Sequence, residues 1–283
     1  IDTKDIKNVI KVLESSNLTS GPKINEFEKK IVEIFGGNFC TVVNSGTSAL
    51  HLLGKALNWK KNDLIATTPI SFLATANCVV NNGASPEFID IEEKTFNIDP
   101  NKLEERLKKK KIKAVIAVDY AGHPCDWKSL NYLKKKYGFT LINDACHSMG
   151  AEYYSSKKYA IKYADFVTHS YHPVKAFTTG EGGSVISKNN KISKKIELMR
   201  NHSMIKSKKF DPWIYKIQDA GMNYRITDIQ CALGLSQLNK LNKFIKSRRQ
   251  IAKIYLSKLE ECENFINPIE KKNCKHSYHL YPL

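Results

Sequence analysis

Residues 140–147, Thr-Leu-Ile-Asn-Asp-Ala-Cys-His, combine a short apolar run with the polar residues that follow it. The apolar and β-branched residues at 140–142 form a continuous run, which is typical of a strand covered on both faces. A similar run occupies residues 115–118. Segments with helical spacing of apolar residues lie between such runs. This alternation predicts an α/β protein with a mostly parallel sheet.

Further strands and helices extend this pattern in both directions along the chain. Asp99 and Pro100 predict a helix start, because aspartate is a favoured N-cap and proline is favoured in the first turn. The other predicted elements are strands at 42–43, 64–66, 87–89, 166–167 and 184–186 and helices at 48–56 and 73–80.

The last part of the chain has a different pattern. After Thr227, leucines and other apolar residues recur at helical spacing up to Phe244, which predicts a long helix. Residues 278–283 predict the beginning of a strand. We therefore expect a large domain over 1–235, and over 236–283 a long helix followed by the start of a truncated small C-terminal domain.

The composition is that of a folded protein, with 42% hydrophobic and 26% charged residues. No apolar run approaches the roughly 20 residues that a membrane span needs, and the first residues lack a signal-peptide core. The seven cysteines follow no CxxC or metal-ligand spacing. We therefore expect a reduced, cytoplasmic protein without a metal site or a membrane partner.

The formal net charge is +17. A nucleic-acid-binding protein would concentrate this charge on one face and place aromatic residues among the basic ones. Here lysines occur in nearly every segment, so the pattern favours solvated helix ends and surface lysines over a nucleic-acid partner. Excess positive charge would also attract an anionic sugar nucleotide or a phosphorylated cofactor.

Three segments follow predicted strands and carry reactive side chains. Gly46 and Thr47 lie between a strand and a helix, where free N–H groups suit an anion, although Ser45 or Thr47 could simply cap that helix. Ser170 follows another strand and could bond the same anion or only its own turn. Lys175, five residues later and just before a glycine-rich turn, could hold an aldehyde cofactor as a Schiff base.

Asp144 and His147 lie at the end of a buried strand. A carboxylate at this edge could keep a pyridine ring protonated, or Asp144 could act as a helix N-cap. His147 could bond the phenolic oxygen of such a ring or be a satisfied core residue. Phe72 could stack on the ring or pack in the core, and Glu181 lies between glycines in a tight turn.

Together these segments resemble the DegT/DnrJ/EryC1/StrS family of sugar aminotransferases, which are fold-type I pyridoxal-phosphate enzymes. The resemblance covers almost the whole chain and is carried by residues 18–22, 44–51, 68–72, 144–147, 170–175 and 223–230. It implies a mostly parallel seven-stranded sheet between helices, pyridoxal 5′-phosphate as the cofactor and a homodimer with shared active sites.

The resemblance also assigns roles to individual residues. Lys175, Asp144 and His147 would be catalytic, and Asn223 would reach the active site of the neighbouring subunit. The residues expected to bind the cofactor are Gly46, Thr47, Phe72, Asp144, His147, Ser170, Lys175 and Asn223. The residues expected to contact the sugar nucleotide are Ser16, Asn17, Leu18, Thr19, Gly46, Ser170, Asn223, His279, Leu280, Tyr281 and Pro282.

Within the family, residues 119–122, 170–175, 232–238 and 279–282 are most similar to the branch that acts in pseudaminic acid synthesis. That branch implies transfer of an amino group from L-glutamate to C4 of a UDP-linked 4-keto-6-deoxy-2-acetamido sugar. Amination of UDP-4-keto-arabinose or of a dTDP-hexose is the alternative within the family. A sugar 3-dehydratase would carry histidine in place of Lys175, and a basic nucleic-acid-binding protein would need a different charge pattern.

Overall fold

The computed structural model describes residues 1–206, 213–262 and 264–283. Within these ranges no helix combines the length and the apolar character needed to cross a membrane. The helices are α1 (Thr3–Leu13), α2 (Pro22–Phe35), α3 (Gly46–Ala56), α4 (Ala74–Asn81), α5 (Pro100–Leu107), α6 (Trp127–Tyr137), α7 (Tyr159–Tyr163), α8 (Asn190–Met199), α9 (Asp228–Leu238) and α10 (Leu241–Leu259).

A seven-stranded sheet forms the centre of the fold, with the strand order β1-β8-β7-β5-β4-β2-β3. All its neighbouring pairs are parallel except those made by β8. The strands are β1 (Phe39–Val43), β2 (Leu64–Thr67), β3 (Ser85–Phe88), β4 (Ala114–Val118), β5 (Thr140–Asp144), β7 (Phe166–Ser170) and β8 (Gly183–Ser187). The prediction of a mostly parallel α/β sheet is thus confirmed.

Short strands outside the central sheet form two further ladders. Strands β9 (Met204–Lys206) and β10 (Tyr215–Ile217) pair as an antiparallel ladder. Strands β6 (Glu152–Tyr153) and β11 (Cys274–Lys275) pair in the same sense. The second ladder brings the end of the chain next to the loop that follows β5.

Helices cover both faces of the sheet, because successive strand residues point to opposite sides. Leu141 belongs to the apolar core on one face, with Phe27 and Trp127. Ile142 belongs to the core on the other face, with Leu53. These strands are apolar without alternation because they are buried on both faces.

The single long helix predicted after Thr227 is wrong, because α9 ends at Leu238 and α10 begins at Leu241. Lys240 lies at the break, and its ammonium group bonds Asp5 Oδ2 at 2.6 Å and Asp2 Oδ2 at 2.8 Å. These contacts tie the break to the first turn of α1. A partner at the other end of the chain therefore fixes the turn, and local spacing carries no sign of it.

The strand predicted at 278–283 is also wrong, because this segment is irregular. Tyr278 has a φ of 49°, in the left-handed region that a strand excludes. Its N–H donates to His276 Nδ1 at 2.8 Å, and the two rings stack with centroids 4.0 Å apart. This local arrangement turns the chain toward the carboxyl edge of the central sheet.

Asp119 fixes the turn that follows β4. Its carboxylate is fully buried and accepts hydrogen bonds from Ser148 Oγ at 2.8 Å and Tyr159 Oη at 2.6 Å. Burial raises the pKa of this carboxyl, while the donated hydrogen bonds oppose that effect. The turn at Tyr120–Gly122 and the loop after β5 are thereby held against each other.

Candidate active site

A cavity of about 850 Å³ opens at the carboxyl edge of the central sheet. Asp144 at the end of β5 pairs in register with Thr168 of β7, and Ser170 at the end of β7 pairs with Gly183 of β8. Parallel strands end at one edge, so their last side chains lie close together. Asp144, Ser170 and the loop that carries Lys175 all line this cavity.

The N-terminus of α3 forms one corner of the cavity. Ser45 Oγ accepts the N–H of Ser48 at 3.0 Å, so Ser45 is the N-cap that the sequence allowed. Gly46 and Thr47 occupy the first helical turn, whose N–H groups have no intrahelical acceptors. Ser170 lies beside them, since a Cβ added to Gly46 would stand 2.8 Å from the Cβ of Ser170. This corner suits a phosphate group.

Asp144 presents a buried carboxylate to the cavity and is only 4% exposed. Thr75 Oγ1 donates to Asp144 Oδ2 at 2.8 Å, and the N–H of Cys146 donates to Oδ1 at 3.2 Å. The N-cap interpretation is wrong, because residues 146–150 form a turn and no helix follows Asp144. The two hydrogen bonds fix the plane of the carboxylate toward the cavity.

Lys175 enters the cavity from the loop after β7. Its N–H donates to His172 O at 2.9 Å, which closes a turn just before the side chain leaves the loop. Its Nζ lies 3.5 Å from His279 Nε2. Within the described part of the chain the lysine amine makes no ion pair, and the contact with a neutral imidazole leaves it available for a ligand.

Two histidines form the wall near this amine. The rings of His147 and His279 have centroids 4.3 Å apart. Burial, with the charge of Lys175 next in size, lowers the pKa of His147 to about 4. Burial, together with the positive charge of Lys175, lowers the pKa of His279 to about 2. Both imidazoles are therefore neutral near neutral pH.

The rim of the cavity carries other residues that the sequence indicated. Phe72 lies at the rim and is 62% exposed, on the loop before α4 and not in a helix or the core. Glu181 and Leu280 also line the cavity. Gly180, before Glu181, has a φ of 81°, so the tight glycine turn predicted there is present.

Several predicted substrate-binding residues lie outside this cavity in the single chain. Residues 16–19 follow α1, where Leu18 O accepts the N–H of Asp228 at 3.0 Å. Asn223 is exposed and forms a backbone bridge with Asn201. Tyr281 and Pro282 do not line the cavity, and Tyr281 Oη donates to Asn267 at 2.9 Å. Contact of these residues with a sugar nucleotide stays a prediction.

Other residues at the site had no role assigned to them from the sequence. Thr75, Tyr120 and His172 line the cavity, and Arg248 bonds the carbonyls of two lining residues, Lys175 and His279. Thr75 orients Asp144 from 69 positions away. Among the residues that the structure describes, Arg248 bonds only backbone carbonyls, so no charge pattern points to it. These roles depend on long-range packing and have no local motif.

These side chains fit pyridoxal phosphate. The N–H groups at the N-terminus of α3 suit the phosphate, the Asp144 carboxylate suits a protonated ring nitrogen, and the Lys175 amine suits the aldehyde. The buried Nδ1 atoms of His147 and His279 lack hydrogen-bond partners within the described residues, as in a site that a polar ligand completes. In the same ranges no group of histidine, cysteine or acidic side chains could hold a metal ion.

Comparisons with known proteins agree with this chemistry. The model of the DegT/DnrJ/EryC1/StrS aminotransferase family matches residues 1–283. The UDP-4-amino-4,6-dideoxy-N-acetyl-beta-L-altrosamine transaminase of Campylobacter jejuni is 42% identical over 285 residues, which are 100% of this chain and 74% of that protein.

Two solved structures are similar over nearly the whole chain. Helicobacter pylori PseC, an aminotransferase involved in the biosynthesis of pseudoaminic acid, has 35% identity and a TM-score of 0.90, covering 99% of this chain and 74% of that one. Streptococcus pneumoniae Spr1654 in its PLP-form has 27% identity and a TM-score of 0.88, covering 99% and 75% respectively.

Proposed function

This chain belongs to the DegT/DnrJ/EryC1/StrS aminotransferase family, and from that membership we propose that it aminates C4 of a UDP-linked 4-keto-6-deoxy-2-acetamido sugar with L-glutamate as the donor. The chain is a pyridoxal-phosphate-dependent sugar aminotransferase. The particular sugar is the proposed part. It is supported by the names of the Campylobacter and Helicobacter relatives.

One observation carries the proposed chemistry. Lys175 and Asp144 line the same cavity, and neither forms an ion pair within the described residues. A buried carboxylate without a cationic partner is costly, so a ligand that brings a positive charge would stabilise it. The protonated ring nitrogen of pyridoxal phosphate is such a charge. When bound, the cofactor supplies an electron sink for the carbanion that forms when an amino acid loses its Cα proton.

The residues of the chain would then hold the cofactor and move the proton. Asp144, oriented by Thr75, would hold the ring nitrogen, and the N–H groups of Gly46 and Thr47 would hold the phosphate with Ser170. Lys175 would anchor the aldehyde. Its amine, once displaced by the incoming amino group, would take the proton from Cα of glutamate as a general base.

The neighbouring groups would assist this base. His147 and His279 are neutral, so neither adds a positive charge beside the Lys175 amine. His147 would also bond the phenolic oxygen of the cofactor ring. Phe72 would cover the ring from the rim, and Leu280 with His279 would contact the sugar.

The test is the product formed from UDP-4-keto-6-deoxy-N-acetyl-altrosamine and L-glutamate by the loaded enzyme, identified by mass and NMR. We expect an amino group at C4 and stoichiometric 2-oxoglutarate. Matched reactions would offer UDP-4-keto-arabinose and a dTDP-4-keto-hexose. A clear preference for the dTDP sugar, or a product dehydrated at C3, would reject the proposed reaction.

We also propose a cytoplasmic homodimer with shared sites, in which Asn223 reaches the partner's cavity. Phe72 and Leu73 are each 62% exposed beside the cavity, and exposed apolar side chains at a site suit an interface. The proposed division of the chain remains 1–235 for the cofactor domain and 236–283 for the segment of the second domain. Sedimentation of the Asn223→Ala variant, with cofactor affinity as the second readout, would separate assembly from cofactor binding.

A further inference from the structure

The guanidinium group of Arg248 joins two segments of the cavity wall. Its Nη1 donates to Tyr278 O at 3.3 Å and to His279 O at 3.1 Å. Its Nη2 donates to Val174 O at 3.2 Å and to Lys175 O at 3.2 Å. Arg248 lies on α10, so one side chain connects this helix to both the lysine loop and the segment of His279.

The charge of Arg248 is satisfied by carbonyl groups alone. Within the described residues no carboxylate lies within ion-pair distance of it, whereas its neighbour Arg249 pairs with Glu270. Burial lowers the pKa of Arg248 from its usual value, yet a guanidinium stays protonated in proteins. Hydrogen bonds from a charged donor are stronger than those from a neutral donor, and the planar guanidinium group fixes their direction.

Each segment also has backbone hydrogen bonds of its own. Ser277 N donates to Gly122 O at 3.0 Å, and Leu280 N donates to Ala121 O at 3.2 Å. The lysine loop is closed by the hydrogen bond from Lys175 N to His172 O. None of these backbone hydrogen bonds joins one segment to the other, whereas the side chain of Arg248 bonds backbone carbonyls of both.

We propose that Arg248 is a positioning residue that holds the carbonyl groups of Lys175 and His279 at a fixed separation and thereby aims the lysine amine into the cavity. The proposal rests on the proposed function, because it assigns Lys175 the catalytic amine of that reaction. The distance that Arg248 would set is the 3.5 Å between Lys175 Nζ and His279 Nε2.

The test compares three variants. Arg248→Met removes the guanidinium group but keeps an extended side chain. Arg248→Lys keeps the positive charge but lacks the planar guanidinium group. Arg249→Met is the matched control, because Arg249 is on the same helix and bonds His276 O without touching the lysine loop. In the cofactor-free full chain, hydrogen exchange is measured for peptides covering 171–178 and 276–283.

We expect Arg248→Met to accelerate exchange in both peptides, while Arg249→Met leaves 171–178 as in the wild type. In the loaded enzyme, Arg248→Met should change the visible circular dichroism of the cofactor. It should also lower kcat of the glutamate half-reaction by roughly tenfold to a hundredfold, with a smaller change in KM, because a small displacement of a reacting group has effects of that order. Arg248→Lys should recover part of each change.

Unchanged exchange at 171–178 with unchanged kcat in Arg248→Met would overturn the proposal. Full wild-type behaviour of Arg248→Lys would overturn it as well, since the planar guanidinium group would then be unnecessary. If Arg248→Met does not fold, Arg248→Lys provides the test. None of these measurements uses a sugar nucleotide. Failure of every UDP sugar with an enzyme that still converts glutamate would therefore reject the proposed substrate and leave the role of Arg248 standing.

Discussion

The imidazole rings of His147 and His279 lie 4.3 Å apart with an interplanar angle of 39°, beside the amine of Lys175. His147 comes from the loop after β5, and His279 comes from the irregular segment near the end of the chain. Because both rings are largely removed from water, their neutral forms are favoured over their charged forms. The Lys175 amine therefore has two neutral imidazole rings as neighbours.

The lowered pKa values of these histidines predict that the free energy of unfolding decreases as the pH falls. The pKa of His147 is lowered to about 4 and that of His279 to about 2, from a usual value of 6.5. Between pH 6.5 and about 4 the unfolded chain binds protons that the folded chain does not, so the free energy of unfolding declines through this window. Each unit of pKa difference is worth about 1.4 kcal/mol.

Denaturant unfolding of the wild type and of His279→Gln at several pH values would measure this effect. We expect the variant to show a shallower decline below pH 6.5. His202→Gln removes an exposed histidine and is the control, with a slope expected to match that of the wild type. Equal slopes in all three proteins would contradict a contribution of His279 to the acid sensitivity.

The hydrogen bond from Thr75 to Asp144 gives a second prediction. Thr75→Val keeps the side-chain shape but removes the donor to Asp144 Oδ2, and a hydrogen bond to a charged group is worth about 1.5–3 kcal/mol. We expect weaker cofactor binding and a glutamate half-reaction slowed by roughly tenfold or more. Thr75→Ser retains the hydroxyl and should stay near the wild type. Wild-type affinity and rate in Thr75→Val would show that the carboxylate needs no such support.

The predicted covalent role of Lys175 can be measured by spectroscopy and by mass. Lys175→Ala should lose the cofactor absorbance that the loaded enzyme shows near the edge of the visible range. The rate of its glutamate half-reaction should fall by roughly 10² to 10⁴, because the general base is gone. After borohydride reduction of the wild type, the cofactor mass should be found on the peptide of Lys175. Lys188→Ala removes an exposed lysine after β8 and is the control. Label on another lysine, or an unchanged spectrum in Lys175→Ala, would contradict the assignment.

The sequence predicted those parts of the fold that local patterns determine. The continuous apolar runs at 115–118 and 140–142 became β4 and β5 because both faces of these strands are buried. The Asp99–Pro100 pair starts α5 as expected, with the Asp99 carboxylate accepting the N–H of Asn101. Since parallel strands end at one edge, the position of Asp144 and Ser170 followed from the same pattern.

Features that depend on distant partners were not predictable in this way. The break before α10 depends on Lys240 meeting Asp2 and Asp5, which are more than two hundred positions away. The strand suggested by the apolar residues at 278–283 fails for a local reason instead, because Tyr278 stacks on His276 and adopts a left-handed φ. Every residue carries a backbone carbonyl, so residue types cannot indicate which carbonyls bond Arg248.

The close packing around Gly122 predicts that this glycine helps to hold the segment of His279. Gly122 has a φ of 104°, and a Cβ at this position would stand 2.2 Å from Ser277 Oγ and 2.9 Å from His147 O. Gly122→Ala should therefore displace the 276–280 segment and move His279 away from Lys175. We expect a loss of about 1–3 kcal/mol in the free energy of unfolding from overpacking, with additional backbone strain.

Gly138→Ala is the matched control, because Gly138 also has a positive φ, of 74°, but a Cβ there would meet no atom within 4 Å. Its cost measures backbone strain alone, and the difference between the two variants measures packing against Ser277. Adding Ser277→Ala to Gly122→Ala removes the closest contact, so the double variant should recover part of both stability and kcat if the two sites are coupled. If Gly122→Ala matched Gly138→Ala in stability and left kcat at the wild-type value, the turn after β4 would not be what holds His279 in the cavity wall.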